Sequence, residues 1–373
     1  MKRWFRTMMA ILLLLMPCLA LGACAYLNQP KFGGYPEGAR LERIKRSPNQ
    51  TDGVFHNQIP TPMFSDDSSM VSAFASFLFS KRDRPRPSIP LPAVKTDLKA
   101  LDTGRDTVVW LGHSSFFVIL GGRRILIDPV FSDNAAPIPF ANRAFAGTSI
   151  YGPGDIPDID YLLITHDHWD HLDYPSMIAL RPKVGRAVCG LGVGAHLAPW
   201  GYGADVLVEE DWNTELALEP GLTLHILPAR HFSGRLMTRN RTLWVGFALE
   251  TPARRLFFSG DTGYGPHFKE IGSRFKGFDL VSLDSGQYDK RWAYIHMTPE
   301  EAAQAAEELG ARAVIPGHAG RFCISTHSWD DPFIRLAAAS KDKSYRLLTP
   351  LIGVPVFPDD ERQSFTPWWE GIK

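Results

Sequence analysis

Tyr161-Leu-Leu-Ile-Thr165-His166-Asp167-His168-Trp169-Asp170-His171 begins as a strand and ends as a cluster of potential ligands. Five residues of β pattern followed by a histidine-rich loop place the imidazoles at a strand's carboxyl end, where backbone turns aim several side chains at one point. Neutral imidazole and carboxylate suit Zn²⁺, and no cysteine competes within the run. A lone histidine is more often a surface or packed residue. Three histidines and two aspartates in six residues are hard to explain by packing, because burying such groups unpaired is costly.

Outward from this stretch, the chain from Thr107 onward reads as short strands separated by turns. Thr107–Leu111 and Ser115–Leu120 are strands, and Gly121-Gly122 makes a hairpin into Arg124-Ile-Leu-Ile-Asp128. Further strands are expected at Val206–Val208, Leu222–Leu227, Leu243–Leu249, Arg255–Ser259, Leu280–Leu283 and Ala313–Ile315. Thr298-Pro299-Glu300-Glu301 supplies an N-cap, a proline at the first helical position and a capping-box glutamate, and Gly310 stops that helix. Strands mixed with helices in two successive halves imply an α/β fold of two sheets sandwiched between helices.

Residues 24–104 differ from the rest. Pro30, Pro36, Pro48, Pro60 and Pro62 punctuate the segment, Pro85, Pro87, Pro90 and Pro92 stiffen its end, and Val71–Phe79 reads as a short helix carrying Phe74, Phe77 and Phe79. This is an extended arm, either wrapped on the main domain or near a bilayer, or else a simple tether; residues 105–373 form the main domain. Residues 1–23 have the charge and polarity of a signal peptide: Lys2, Arg3 and Arg6, then an apolar run from Met8 to Leu21, too short to span about 30 Å of hydrocarbon comfortably. Leu21-Gly22-Ala23-Cys24 resembles a bacterial lipobox, which makes Cys24 a lipid anchor; the alternative is ordinary cleavage after Ala23 with a free thiol. Ala25, in place of an aspartate, favours the outer membrane, with the protein facing the periplasm. Without the signal the 40 basic residues fall to 37 against 40 acidic, so nothing suggests nucleic acid or a polyelectrolyte partner. Cys189 and Cys323 either pair in an oxidising compartment or remain buried thiols.

His-x-His-x-Asp-His after a strand resembles the signature of the metallo-β-lactamase superfamily. Its other motifs follow in order: His231 in Pro228-Ala-Arg-His-Phe-Ser-Gly-Arg235, Asp261 in Phe258-Ser-Gly-Asp-Thr-Gly263, and His318 in Ile315-Pro-Gly-His318. The resemblance implies an αββα four-layer sandwich and two Zn²⁺ per chain. His166, His168 and His231 would hold one ion, Asp170, His171 and His318 the other, and Asp261 both, with hydrolysis by a metal-bound hydroxide. The superfamily's diiron branch usually has glutamate at the position of His168, so redox chemistry is disfavoured.

Trp110-Leu-Gly-His113, Ile127-Asp128-Pro129, Arg239-Asn-Arg-Thr-Leu-Trp244, His296-Met-Thr-Pro-Glu-Glu301 and His327-Ser-Trp-Asp-Asp-Pro332 resemble one branch. It comprises the N-acylphosphatidylethanolamine-hydrolysing phospholipases D and their bacterial outer-membrane lipoprotein relatives. That branch implies a phosphodiesterase acting on membrane lipid, with Asp261 and His296 catalytic and His113 and His327 either touching substrate or supporting ligands. Relatives commonly have His-Trp-Gly-Thr-Phe where this chain has His318-Ala-Gly-Arg321-Phe322; the lost indole opens the pocket wall, and Arg321 faces an anionic group or solvent. The alternatives are another hydrolase of the same fold, such as a lactonase, thioesterase or β-lactamase, or a non-catalytic metal-binding envelope lipoprotein. Of the remaining polar residues, His225 is expected to be packed, and His56, His196 and His267 lack motif context. Asp173 is expected to cap a helix starting near Tyr174, and Asp167 either to support a ligand or to be exposed.

Overall fold

The computed structural model describes residues 2–65, 83–235 and 238–373. The helix expected at Val71–Phe79 lies outside the described residues. Helix α1 (Lys2–Leu27) runs through Cys24, and α2 (Gly38–Lys45) and the hairpin β1 (Gln50–Thr51)–β2 (Val54–Phe55) follow. No helix among the described residues is long and apolar enough to cross a membrane. The described part of the arm that follows α1 is docked on the two-sheet body. Ile44 and Phe55 are fully buried, Arg40 and Arg43 pair with Glu209 and Glu210 at 2.6 and 2.8 Å, and Asn49 donates to Asp211.

The first sheet contains β3 (Thr107–Gly112), β4 (Ser115–Leu120), β5 (Arg123–Ile127), β6 (Ile159–Ile164), β7 (Val184–Gly190) and β8 (Leu207–Glu210). Strands β3 to β5 are antiparallel neighbours, and β5 to β8 are parallel. The second sheet repeats the plan with β9 (Glu215–Glu219), β10 (Leu222–Pro228), β11 (Val245–Glu250), β12 (Arg255–Phe258), β13 (Leu280–Asp284), β14 (Ala313–Gly317) and β15 (Arg346–Leu347). It is antiparallel as far as β12 and parallel thereafter. Strand β16 (Pro355–Val356) returns to pair with β3, so each sheet has seven strands.

Successive side chains of a strand point to opposite faces, and both faces of these sheets are apolar. Val108, Trp110, Phe116, Val118, Ile125, Ile127 and Leu163 meet Leu224, Ile226, Phe247, Leu249, Leu256, Phe258 and Ile315 between the sheets. Their neighbours Val109, Leu111, Phe117, Ile119, Leu162 and Ile164 pack outward on Met177 and Leu180 of α3 (Tyr174–Leu180) and Leu197 of α4 (Gly194–Leu197). Leu227, Ala248, Phe257, Val281 and Val314 pack outward on α5 (His267–Phe275), α6 (Pro299–Glu308) and α7 (Asp331–Ser340). The result is helix, sheet, sheet, helix. Burying both faces of each sheet removes two sets of side chains from water, at roughly 1.5–3 kcal/mol for each large apolar one.

The strand directions place the site. β3, β5 and β6 of one sheet and β10, β12, β13 and β14 of the other all end on the same edge of the sandwich. His113, Asp128, His166, His231, Asp261, Asp284 and His318 stand at or just beyond those ends.

Candidate metal centre

Sharp turns at the strand ends fold these side chains inward. His113, Asp128 and His318 all have left-handed backbones, with φ of 55°, 41° and 59°; such conformations in non-glycine residues cluster at functional sites. Gly260, at φ +58°, sits before Asp261, and a Cβ there would lie 2.8 Å from that of Thr165. Only glycine lets the two sheets' loops approach this closely.

The first cluster comprises His166, His168, His231 and Asp261. His168 Nδ1 lies 2.9 Å from His166 Nε2 and 3.2 Å from His231 Nε2. Tetrahedral zinc with bonds of about 2.05 Å separates its nitrogens by about 3.3 Å, so this spacing fits a common ion. His231 donates from Nδ1 to the carbonyl of Ile295 at 2.9 Å, which leaves the Nε2 lone pair turned inward. Burial, reinforced by neighbouring imidazoles, pushes His166 and His231 far below the ordinary histidine range, and burial pushes His168 down to about 4. The three rings are therefore neutral, as metal ligands must be.

The second cluster comprises Asp170, His171, His318 and His113. Asp170 Oδ2 lies 3.1 Å from His318 Nε2 and 2.9 Å from His113 Nε2. Asp261 faces both clusters: its Oδ1 is 3.0 Å from His171 Nε2, and its Oδ2 is 3.2 Å from His318 Nε2 and 3.7 Å from both His166 and His231 Nε2. His171 Nε2 and Asp261 Oδ1, although close, are buried without hydrogen-bond partners. Burial opposes charge on His318, but Asp261 and Asp284 outweigh it and raise the imidazole to about 10; Asp261 and Asp170 likewise raise His171. The carboxylates of Asp128, Asp170, Asp261 and Asp284 find their ion-pair partners among histidines. That donor set, rich in buried anions, fits divalent cations.

The inward imidazoles are held from behind. Asp128 accepts from His171 Nδ1 at 2.8 Å and from both the backbone N–H and hydroxyl of Thr165. Asp284, which the sequence reading passed over, accepts from His296 Nδ1 at 2.8 Å, His318 Nδ1 at 3.2 Å and the Thr262 N–H. The available signal was its position: Leu280-Val-Ser-Leu-Asp284 is another apolar strand ending in a ligand-type residue. His296 lies 5.0 and 4.9 Å ring to ring from His231 and His318, forms a third close group with Asp261 and His318, and retains some exposure.

Arg321, His113 and His327, expected to touch substrate or to support ligands, are all committed to partners within the fold. Arg321 is 1 % exposed, donates to Ser132 O and Ser149 Oγ and lies over Phe322; it faces neither solvent nor the cluster, because the Phe145 N–H pins its carbonyl inside the fold. His113 is fully buried against Asp170 and Phe322, where it supports that carboxylate and cannot reach substrate. His327 accepts the Gln287 N–H and donates to Ser328 O, so both ring nitrogens are taken. Asp167 is buried and accepts from His196, Thr242 and the Gly234 N–H. His225 is packed on Phe275 and bonded to Glu250. Asp173 caps α3 through the Ser176 N–H. Cys189 is buried and unpaired with Cys323, whose Sγ lies 3.6 Å from Ser325 O and 3.5 Å from His327 O.

The sequence matches the β-lactamase superfamily domain over residues 123–319, and the chain belongs to the metallo-β-lactamase superfamily. It is accordingly a metal-dependent hydrolase. Its relatives include an N-acyl-phosphatidylethanolamine-hydrolyzing phospholipase D of Caenorhabditis elegans, 34% identical over 235 residues, covering 58% of this chain and 64% of that one. An uncharacterized Mycobacterium tuberculosis protein is 38% identical over 330 residues, covering 87% and 88%. The outer membrane protein RomA of Klebsiella pneumoniae is 61% identical over 100 residues, covering 27% and 76%. Among solved structures, the metallo hydrolase Igni18 of Ignicoccus hospitalis shares the fold, with TM-score 0.52 at 20% identity over 67% of this chain and 97% of that one.

Proposed function

We propose that this hydrolase is a two-zinc phosphodiesterase of phospholipase D type, acting on N-acylphosphatidylethanolamine-like lipids. His166, His168 and His231 would hold one ion, Asp170, His171 and His318 the other, and Asp261 would face both. Such ions lower the pKa of bound water to about 7 and offset charge on phosphoryl oxygens. The observation that carries the reading is His296: Asp284 fixes its Nδ1, and the ring lies beside His231 of one cluster and His318 of the other. Its other nitrogen then donates a hydrogen bond to a phosphoryl oxygen, or a proton to the departing head-group alcohol as the P–O bond breaks. Asp284 keeps that ring in register with His318, so the donor and one ligand move together.

Exposed apolar side chains beside the start of the arm agree with a protein that works at a lipid surface. Ile138 and Phe140 are 39% and 75% exposed on a loop whose Pro137 carbonyl accepts from Tyr26 Oη and Lys31 Nζ. Tyr26 lies two residues beyond Cys24, the residue that would carry the lipid and hold the protein at the periplasmic face of the outer membrane. The relative named as an outer membrane protein supports an envelope location.

The test is a panel of N-acylphosphatidylethanolamine and phosphatidylcholine vesicles, acyl-homoserine lactones, thioesters and β-lactams, offered to zinc-loaded protein. Phosphatidic acid released from the N-acylated lipid is the expected product. Turnover confined to lactones, thioesters or β-lactams would replace this reading with a different hydrolase, and no turnover at all would favour a non-catalytic envelope protein.

A further inference from the structure

Asn57 lies in the docked arm, well outside residues 123–319 that match the family, yet it holds the backbone of His231 from both sides. Its Nδ2 donates to the His231 carbonyl at 2.7 Å, and its Oδ1 accepts the His231 N–H at 3.0 Å. The same Oδ1 accepts from Trp244 Nε1 at 3.1 Å, and Trp244 also donates to Ala229 O. A side-chain carboxamide is thus paired with one residue's N–H and C=O, as a neighbouring strand would be.

His231 needs such a partner. β10 ends at Pro228, so His231 stands beyond the ladder, and its own Nδ1 is committed to Ile295 O. The arm on either side of Asn57 is itself fixed. Phe55 N–H donates to Asn240 O, and Arg230 clamps Thr61 Oγ1 and the Pro60 carbonyl. His231 therefore takes its backbone position from the arm, while the other rings of its cluster take theirs from the loop after β6.

We infer that Asn57 is a positioning residue for the metal set of His166, His168 and His231, and that the arm is part of this metal centre. The inference rests on the two-ion reading. Partners that orient a metal-binding histidine typically contribute about 10–100-fold in metal affinity. Losing Asn57 should weaken one ion by that factor and leave the ion at Asp170, His171 and His318 in place, since none of Asn57's three bonds reaches that set.

The experiment compares the full-length wild type with Asn57→Ala, Asn57→Asp and Thr61→Ala. Zinc equivalents are measured during titration with a chelator, cobalt(II) spectra report the geometry of each set, and melting temperatures are taken without metal. Asn57→Ala is expected to surrender one equivalent at about 10–100-fold lower chelator concentration, with an altered spectrum for that equivalent alone. Asn57→Asp keeps the two acceptor bonds but loses the donor, so it should shift the same equivalent, and it decides the question if the alanine variant does not fold. Thr61→Ala removes one bond between the arm and Arg230 but leaves Asn57's own bonds to His231 in place, so any shift of that equivalent should be smaller than in Asn57→Ala. Two equivalents retained at wild-type affinity in both Asn57 variants, with only the metal-free melting temperature lowered, would overturn the inference. A wild type that binds a single equivalent would instead sink the two-ion reading, and Asn57 would then be judged by whether that equivalent weakens.

Discussion

Asp284 and His296 separate two ways in which a side chain serves this centre. His296 has a nitrogen left over after bonding Asp284, whereas Asp284 orients both His296 and His318. His296→Asn should lower turnover by about 10²-fold, within the range of general acid–base catalysis, with zinc content unchanged. Asp284→Asn should lower turnover too, but also loosen zinc at the His318 set, because each carboxylate oxygen accepts from a different imidazole and an amide turns one of these acceptors into a donor. Turnover and bound zinc measured on the two variants distinguish them; zinc loss on changing His296 would make that ring a ligand. At this scale the run His166–His171 was legible in the sequence, since packing alone does not account for so many ionisable groups side by side. Asp284 and Asn57 were not, because each is a lone polar residue whose partners are set by distant strands. Arg321 was misjudged because a cation beside a motif suggests a ligand contact, whereas its carbonyl and guanidinium are tied to the 132–149 loop.

Helix α6 shows what element-level signals specify. Thr298 Oγ1 accepts the Glu301 N–H, and Glu301 Oε2 accepts the Thr298 N–H at 2.9 Å, the reciprocal cap expected from Thr298-Pro-Glu-Glu301. Thr298→Ala should destabilise the protein by about 1 kcal/mol, a fall in melting temperature of about 2–4 °C for a domain of this size. His296 bonds upstream of the cap, so kcat should stay close to wild type; a large loss of kcat would mean that the cap also fixes the His296 loop. Strands were legible where apolar runs were long, as at β4 and β6. β7 escaped notice because Val184-Gly-Arg-Ala-Val-Cys-Gly190 is broken by glycines; Gly190 is required because a Cβ there would lie 2.2 Å from Leu243 O. β9 escaped although Glu215-Leu-Ala-Leu-Glu219 alternates, since its edge position leaves it charged and partly exposed.

Across the whole molecule, two sheets place the ends of seven strands on one edge, and the arm after α1 closes onto that edge at His231. The two-sheet sandwich could be inferred from the order of strands and helices; the docking of the arm could not, because proline-rich spacing is equally compatible with a tether. The proposed anchor predicts that Cys24→Ser moves the protein from the membrane to the soluble fraction while activity on detergent-dispersed substrate persists. Continued flotation of that variant with membranes would assign anchoring to another part of the chain. The central claim, a centre for two zinc ions sharing Asp261, is tested most directly by elemental analysis of the mature protein beside Asp261→Ala. About two zinc equivalents are expected in the wild type, with a larger loss for Asp261→Ala than for any single histidine change. Iron with a redox-active signal, a single equivalent, or full zinc retention without Asp261 would contradict it.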